Sequence, residues 1–272
     1  MKRKEIALKC LKAVIIGLVL IFMYAPILVL AVYSFSSKDI IGASGEFSFV
    51  HYQKLFSDRA ILTMIGNTLL LALLSAVLAT ILGTFAAIGM HYNKKGIRTA
   101  IGSISQIPVV NAEIVTALAL AIMFAAVGLQ RSYVTLLLGH MVIATPFVVL
   151  SVLPKLKQMD NSLYEAALDL GASPAKALFT VVLPQIIPGI ISGFMLAITL
   201  SLDDYIVTSY LKPAGFDTIS TYVFNATMRG NAHTASTTSS FWALTTILFV
   251  VILVIVISAN LVGRGKKKEG TK

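Results

Sequence analysis

Three carboxylates, Glu113, Asp203 and Asp204, stand inside stretches of the chain that are otherwise almost free of charge. An acid near the centre of an isolated membrane helix costs about 2.5–3.5 kcal/mol, so such residues turn to the protein interior or to water and mark a path by default. No Lys or Arg lies in the same stretches to neutralise them. Three unpaired acids favour a cationic ligand, through direct Coulomb attraction in a partly dry channel. Phosphate, sulfate or molybdate would fit such a lining poorly. Neighbouring helical residues point about 100° apart, so Asp203 and Asp204 cannot face the same way. One is expected on the path and the other as a packing or cap acceptor. The helix carrying them has room to break there, because Ser201 and Thr199 offer local acceptors. His140 has the chemistry of a ligand or proton relay, but no second His or Cys lies near it in sequence. A hydrogen-bonded packing histidine is therefore expected. The single Cys10 excludes a disulfide framework and a thiolate metal cluster; no metal site and no catalytic residue is expected.

These acids need elements that can carry them through an apolar medium. Of 272 residues, 57% are apolar and 12% charged, about half the roughly 25% charged share of a soluble domain. Crossing a hydrocarbon core of about 30 Å takes about 20 apolar residues in a helix. Six stretches qualify, approximately Ala13–Val32, Ile61–Gly89, Ala100–Val127, Ser132–Leu153, Val181–Leu211 and Phe241–Gly263. A barrel would alternate polarity over strands of about ten residues, whereas Leu69–Leu74 and Phe249–Ile257 are apolar throughout. The expected fold is an all-α integral membrane protein of six transmembrane helices, a single domain over residues 1–272. Pro146 is expected to kink the fourth helix, and Trp242 falls where an interfacial anchor belongs. The pairs Gly83/Ala87 and Gly189/Gly193 are spaced for close helix approach.

The net charge of +10 invites a nucleic-acid reading, which its distribution answers. With the N-terminus placed inside, 16 Lys and Arg fall on the inner side and 6 on the outer, the positive-inside bias of a membrane protein. The basic excess orients the chain against anionic lipid, and no nucleic-acid partner is implied. The first stretch is longer than a typical signal-peptide core and is expected to remain as an anchor. Both termini are expected in the cytoplasm.

The inner segment Pro154–Pro184 differs from the rest. Ser162 with Glu165 three residues on has the capping-box pattern, so a helix should begin there, and Gly171 suits the left-handed position past its end. Ser173 can cap a second helix with Pro174 at its first position. Leu163, Tyr164, Ala167 and Leu168 give the first helix an apolar surface that a loop of this length cannot bury, which suggests docking.

Glu165-Ala166-Ala167, then Gly171, then Val181-x-Leu183-Pro184 resembles the EAA loop of ABC importer permeases, with Val181 where that motif carries Ile. The resemblance implies the type I importer permease fold. It also implies that residues 154–184 form coupling helices seated in a cytoplasmic ATPase, with Tyr164, Glu165, Ala166, Ala167 and Gly171 as the coupling residues. No Gly-x-x-x-x-Gly-Lys-Ser/Thr loop is present to cradle a nucleotide. The chain is thus expected to bind no cofactor and to be no enzyme, ATP and Mg²⁺ being used by a partner.

The whole chain is similar to the permease subunits of spermidine/putrescine ABC importers. Leu200–Ser209 resembles their Ser-x-Asp-Asp segment, Pro108–Gly128 resembles their third span, with Glu113 where an Asp is common, and His51–Phe56 resembles the aromatic segment before their second span. This implies that Glu113, Ser201, Asp203 and Asp204 contribute to a polyamine path and that Tyr52 stands at the external entrance. The implied partners are a second, related permease subunit in a heterodimer, a dimer of ATPase subunits and an extracellular or periplasmic polyamine-binding protein. The implied setting is the lipid of a bacterial plasma (inner) membrane. The same architecture importing ferric iron or thiamine stays open, as does a proton-coupled secondary carrier using Glu113 and Asp203. Six stretches without a visible duplication weigh against a complete carrier.

Overall fold

The computed structural model describes residues 2–39, 45–229, 240–247 and 250. The named elements are helical throughout, and the sole extended pairing among the described residues is one isolated bridge between Ser36 and Phe47. Among the described residues, four helices or helix runs are long and apolar enough to cross a bilayer: Leu11–Tyr33 within α1 (Lys2–Tyr33), α3 (Arg59–Tyr92), α6 (Tyr133–Gln158) and Pro174–Asp203. A fifth crossing is possible by length and composition if α4 (Lys95–Val110) and α5 (Glu113–Ala126) are counted as one bent pair. Of the sixth expected stretch, Phe241–Gly263, residues 241–247 and 250 are described and helical, and the remainder lies outside the described residues. The basic residues from Arg264 onward and residues 230–239 also lie outside them.

Two expected spans differ in form. The third is not one continuous helix: α4 and α5 meet at an angle of 111°. Pro108 in the last turn of α4 has no N–H to continue the ladder, and Asn111 and Ala112 turn to extended backbone with ψ of 149° and 134°. The fifth begins earlier and stops sooner than expected. A short α8 (Pro174–Ala177) runs through a π-helical turn, Leu178–Val182, into α9 (Leu183–Asp203), and a separate α10 (Ile206–Leu211) follows the break. The expected 154–184 loop shrinks accordingly, because α6 continues through Pro154 to Gln158, leaving α7 (Asn161–Asp169) and a turn before Ser173. The remaining elements are α2 (Val50–Ser57) and α11 (Ile219–Arg229).

The chain divides into two compact units, residues 1–62 with 225–272, and residues 63–224. In the first unit, most apolar side chains of α1 from Leu11 onward are exposed, as suits a helix facing lipid or another subunit rather than its own core. Phe35 stacks on Phe47 and meets Phe49 edge-on, Trp242 meets His51, and Thr246 donates to Ser34 Oγ at 3.2 Å.

In the second unit α6 is the central element, packing most extensively on α9. The expected small-residue approaches are present there. A Cβ at Gly83 would stand 2.6 Å from Val148 Cβ and 3.0 Å from the Thr145 carbonyl oxygen, and one at Gly193 would stand 3.1 Å from Val148 Cα. Val148 of α6 is thus gripped from α3 and from α9. Gly83→Ala is expected to lower the thermal midpoint of the purified protein through overpacking worth about 1–3 kcal/mol. Gly66→Ala, where nothing lies within 4 Å, serves as the control. Equal midpoints for the two variants would refute the close approach.

Candidate functional site

The site is built where α9 stops. Asp203 is its last helical residue, and Asp204 leaves the helix with ψ near 122°. The Asp204 carboxylate turns forward and accepts from Val207 N at 3.0 Å, Thr208 N at 2.7 Å and Thr208 Oγ1 at 2.6 Å. It thereby satisfies N–H groups that the first turn of α10 would otherwise leave orphaned. Its backbone carbonyl accepts from Ser220 Oγ at 2.6 Å. The break expected here is present, but the acceptor that makes it is Asp204 itself. Thr199 spends its hydroxyl on Met195 O at 2.8 Å, and Ser201 is engaged sideways.

The division of labour between the two aspartates follows. Asp204 is buried and Asp203 is exposed. The expectation of three unpaired acids therefore needs correction, since Asp204 accepts from two backbone N–H groups and a hydroxyl, with the His140 ring alongside at 3.4 Å. Glu113 is the first residue of α5, just past the 111° bend. It is exposed and lies close enough to Asp203 and Asp204 for the three acids to interact electrostatically. Two helix interruptions distant in sequence thus present their acids to one place.

His140 is a satisfied core histidine, as expected, but its partners were not legible. Nδ1 lies 2.7 Å from Ser201 Oγ and Nε2 lies 3.0 Å from Thr208 Oγ1, while Ser75 of α3 reaches Ser201 at 3.0 Å. The available signal was indirect: a histidine in an apolar stretch needs two polar partners, and the Ser201–Thr208 segment is where such groups concentrate. Tyr52 belongs to the other compact unit. It is half-buried there, with its hydroxyl 3.0 Å from Ser34 Oγ and its ring against Phe35 and Phe49. A separate cavity of about 830 Å³ lies among the ends of α5 and α10 and the start of α6. Its polar lining includes Arg131, Lys212 and Tyr210, but none of the three acids.

The second candidate region is the α7–α8 connection. Its cap differs from expectation: Asp160, not Ser162, caps α7, accepting from Ser162 N at 2.9 Å. Asp160 precedes Ser162 by two residues, and its carboxylate reaches the N–H that an Asx turn offers. That backbone bond holds the Asp160 carboxyl below the usual carboxylate range. Gly171 does occupy the left-handed region, at φ +84°, with Gly171 N donating to Leu168 O at 2.9 Å and Ala172 N to Ala167 O at 3.0 Å. This is the paired closure of a Schellman turn. Ser173 then caps α8 through Lys176 N at 3.3 Å, with Pro174 at the first position, as expected. Leu163, Glu165, Ala166 and Leu170 are exposed, Leu170 to 89%. Tyr164 instead turns inward onto Tyr92, the ring centroids 5.2 Å apart, so the outward apolar stripe is Leu163, Ala166 and Leu170.

Residues 79–268 match the family of binding-protein-dependent transport system inner membrane components. The putrescine transport system permease protein PotI of Escherichia coli (strain K12) is 35% identical over 230 residues, covering 80% of each chain. The spermidine/putrescine transport system permease protein PotC of Haemophilus influenzae is 31% identical over 245 residues, covering 89% of this chain and 92% of that one. Among solved structures, a bacterial ABC transporter involved in import of the acidic polysaccharide alginate superposes with a TM-score of 0.74 at 18% identity, covering 94% of this chain and 97% of that one. The MetNI methionine ABC transporter superposes with a TM-score of 0.55 at 14% identity, covering 74% and 98%. At these identities the two structures speak for the fold alone.

Proposed function

The chain belongs to the family of binding-protein-dependent transport system inner membrane components, and from that premise we propose that it is the permease subunit of an ATP-driven importer that moves polyamines by alternating access. The observation that carries the cargo class is the placement of Glu113 and Asp203. Both are exposed carboxylates at interruptions of otherwise apolar helices, facing one region with Asp204 behind them. Discontinuous helices are where transporters set their substrate sites, since interrupted backbone survives at membrane depth only where protein or a water-filled cavity receives it. The fold leaves the sign of the cargo open, because a structural neighbour imports an acidic polysaccharide. The acids, and the polyamine cargoes named for the curated relatives, favour ammonium groups.

In this reading a loaded polyamine-binding protein docks outside, and ATP binding with Mg²⁺ closes a partner ATPase dimer against the α7–α8 connection. Glu165, Ala166, Ala167 and Gly171 there, with Tyr164 bracing α7 on Tyr92, transmit that closure. A second, related permease subunit completes the path, with Tyr52 on the approach to it and Ser201 behind the acids. The exposed face of α1 meets lipid or that subunit. The carboxylates hold the cargo weakly enough to release it inward when hydrolysis resets the helices.

Uptake of labelled spermidine and putrescine by cells expressing the full complex tests this. Asp203→Asn is expected to lower uptake by about tenfold, the equivalent of roughly 1.4 kcal/mol of lost attraction at one carboxylate, with complex yield preserved. Unchanged uptake in that variant removes Asp203 from the path. Competition by ferric citrate or thiamine, with none by unlabelled polyamine, overturns the cargo assignment.

A further inference from the structure

Four helices converge on one imidazole. His140 projects from α6 and is fully buried, and its ring nitrogens meet Ser201 in the last turn of α9 and Thr208 in the first turn of α10, while Ser75 of α3 backs Ser201. Donor counting orders the protons. A carboxylate accepts only, so the single Thr208 hydroxyl proton goes to Asp204 Oδ2 across 2.6 Å. Thr208 Oγ1 must then receive at 3.0 Å from His140 Nε2–H. With its proton on Nε2 the ring has a bare Nδ1, which takes the Ser201 hydroxyl at 2.7 Å and leaves the Ser201 oxygen to accept from Ser75 at 3.0 Å. From Ser201 onward each proton is used once and the chain runs one way, Ser201 to His140 to Thr208 to Asp204, while the Ser75 hydroxyl lies 3.0 Å from Ser201 Oγ and 3.2 Å from Ala72 O.

We propose that His140 is a positioning residue that ties the end of α9 to the start of α10 across the broken fifth span, holding Asp204 within the hydrogen-bond chain and Asp203 outside it, free for cargo. No covalent link spans the gap except Asp204 and Tyr205 themselves. The side-chain bridge from α6 therefore sets how the two pieces are registered. An apolar residue of similar volume would fill the same space and leave Ser201 and Thr208 unregistered. That separates positioning from packing.

The inference rests on the importer reading only for its consequence in transport, so the test measures registration directly. In the full complex with Cys10→Ser, Asp203→Cys is labelled by a cationic methanethiosulfonate reagent, with and without changes at His140. His140→Leu is expected to change the labelling rate by about tenfold, the size of effect that one unsatisfied buried hydrogen bond brings. His140→Gln, which keeps a donor and an acceptor at similar reach, returns it to within about threefold of the parent. Ser201→Ala shifts the rate in the same direction as His140→Leu, and combining the two adds nothing further, because one link is cut in both. Parental labelling in both His140→Leu and Ser201→Ala, in assembled complexes, overturns the proposal. Should His140→Leu fail to assemble, His140→Gln and Ser201→Ala decide by the same criterion. Spermidine uptake by the unlabelled wild-type complex is measured alongside. Its absence, with labelling behaving as expected, sinks the importer reading and leaves the positioning role standing.

Discussion

Asp204→Ala is expected to lower the thermal stability of the assembled complex and to cut polyamine uptake by about thirtyfold or more, because two buried N–H groups lose their acceptor together. The carboxylate caps Val207 and Thr208 and orients the Thr208 hydroxyl. The loss of a helix cap alone costs about 1 kcal/mol, and each buried donor left bare adds about 1–3 kcal/mol. Asp204→Asn keeps one carbonyl oxygen and should fall between. The contrast with Asp203 is the informative part. Asp203→Asn is expected to lose uptake without losing stability, and Asp204→Ala to lose both, when melting in lipid nanodiscs is read beside transport in the same preparations. Stable, assembled Asp204→Ala complex at the wild-type melting temperature would show that the cap does not hold the break.

The second large effect is expected at Gly171. Its φ of +84° lies where a β-branched side chain is a true outlier, although open space surrounds the position. The penalty is therefore one of backbone and not of crowding. Gly171→Val should reduce the stimulation of ATP hydrolysis by loaded binding protein by about tenfold in the reconstituted complex, since an αL conformation costs non-glycine residues about 1–2 kcal/mol. Asn tolerates the left-handed region better, so Gly171→Asn should lie between Val and wild type. A Val variant stimulated as strongly as Asn would mean that the turn's conformation does not matter to coupling.

Much of this was readable in advance because it is local. Apolar runs of span length need no partners to be recognised. Gly171 and the Ser173–Pro174 start are chosen by backbone rules acting within a few residues. What escaped was of two kinds. Asp160 and Ser162 are both competent caps two residues apart, and the winner depends on which side chain reaches the first free N–H. The bend at Asn111–Ala112 was hidden by apolar composition on both sides, with Pro108 as the one warning. The His140 network lay beyond any local rule. Its bonds join residues 61 and 126 positions apart, and only packing decides that α3, α6, α9 and α10 offer their few hydroxyls to one ring. Recognising Asp203 and Asp204 as acids in an apolar segment was straightforward, but separating the exposed one from the cap required the break itself.

The π-helical turn at Leu178–Val182 sets which face of α9 carries its last residues. A turn closed by i→i+5 bonds holds one residue more than an α-turn, which advances everything downstream by about 100° of azimuth. From Leu183 to Asp203 the helix then continues without a break, through Pro188, so the face on which Ser201 and Asp203 emerge is set in part by that one additional residue near its base. Torque entering at α8 would reach the carboxylates with an angular offset already built in, as between two cams keyed to a common shaft.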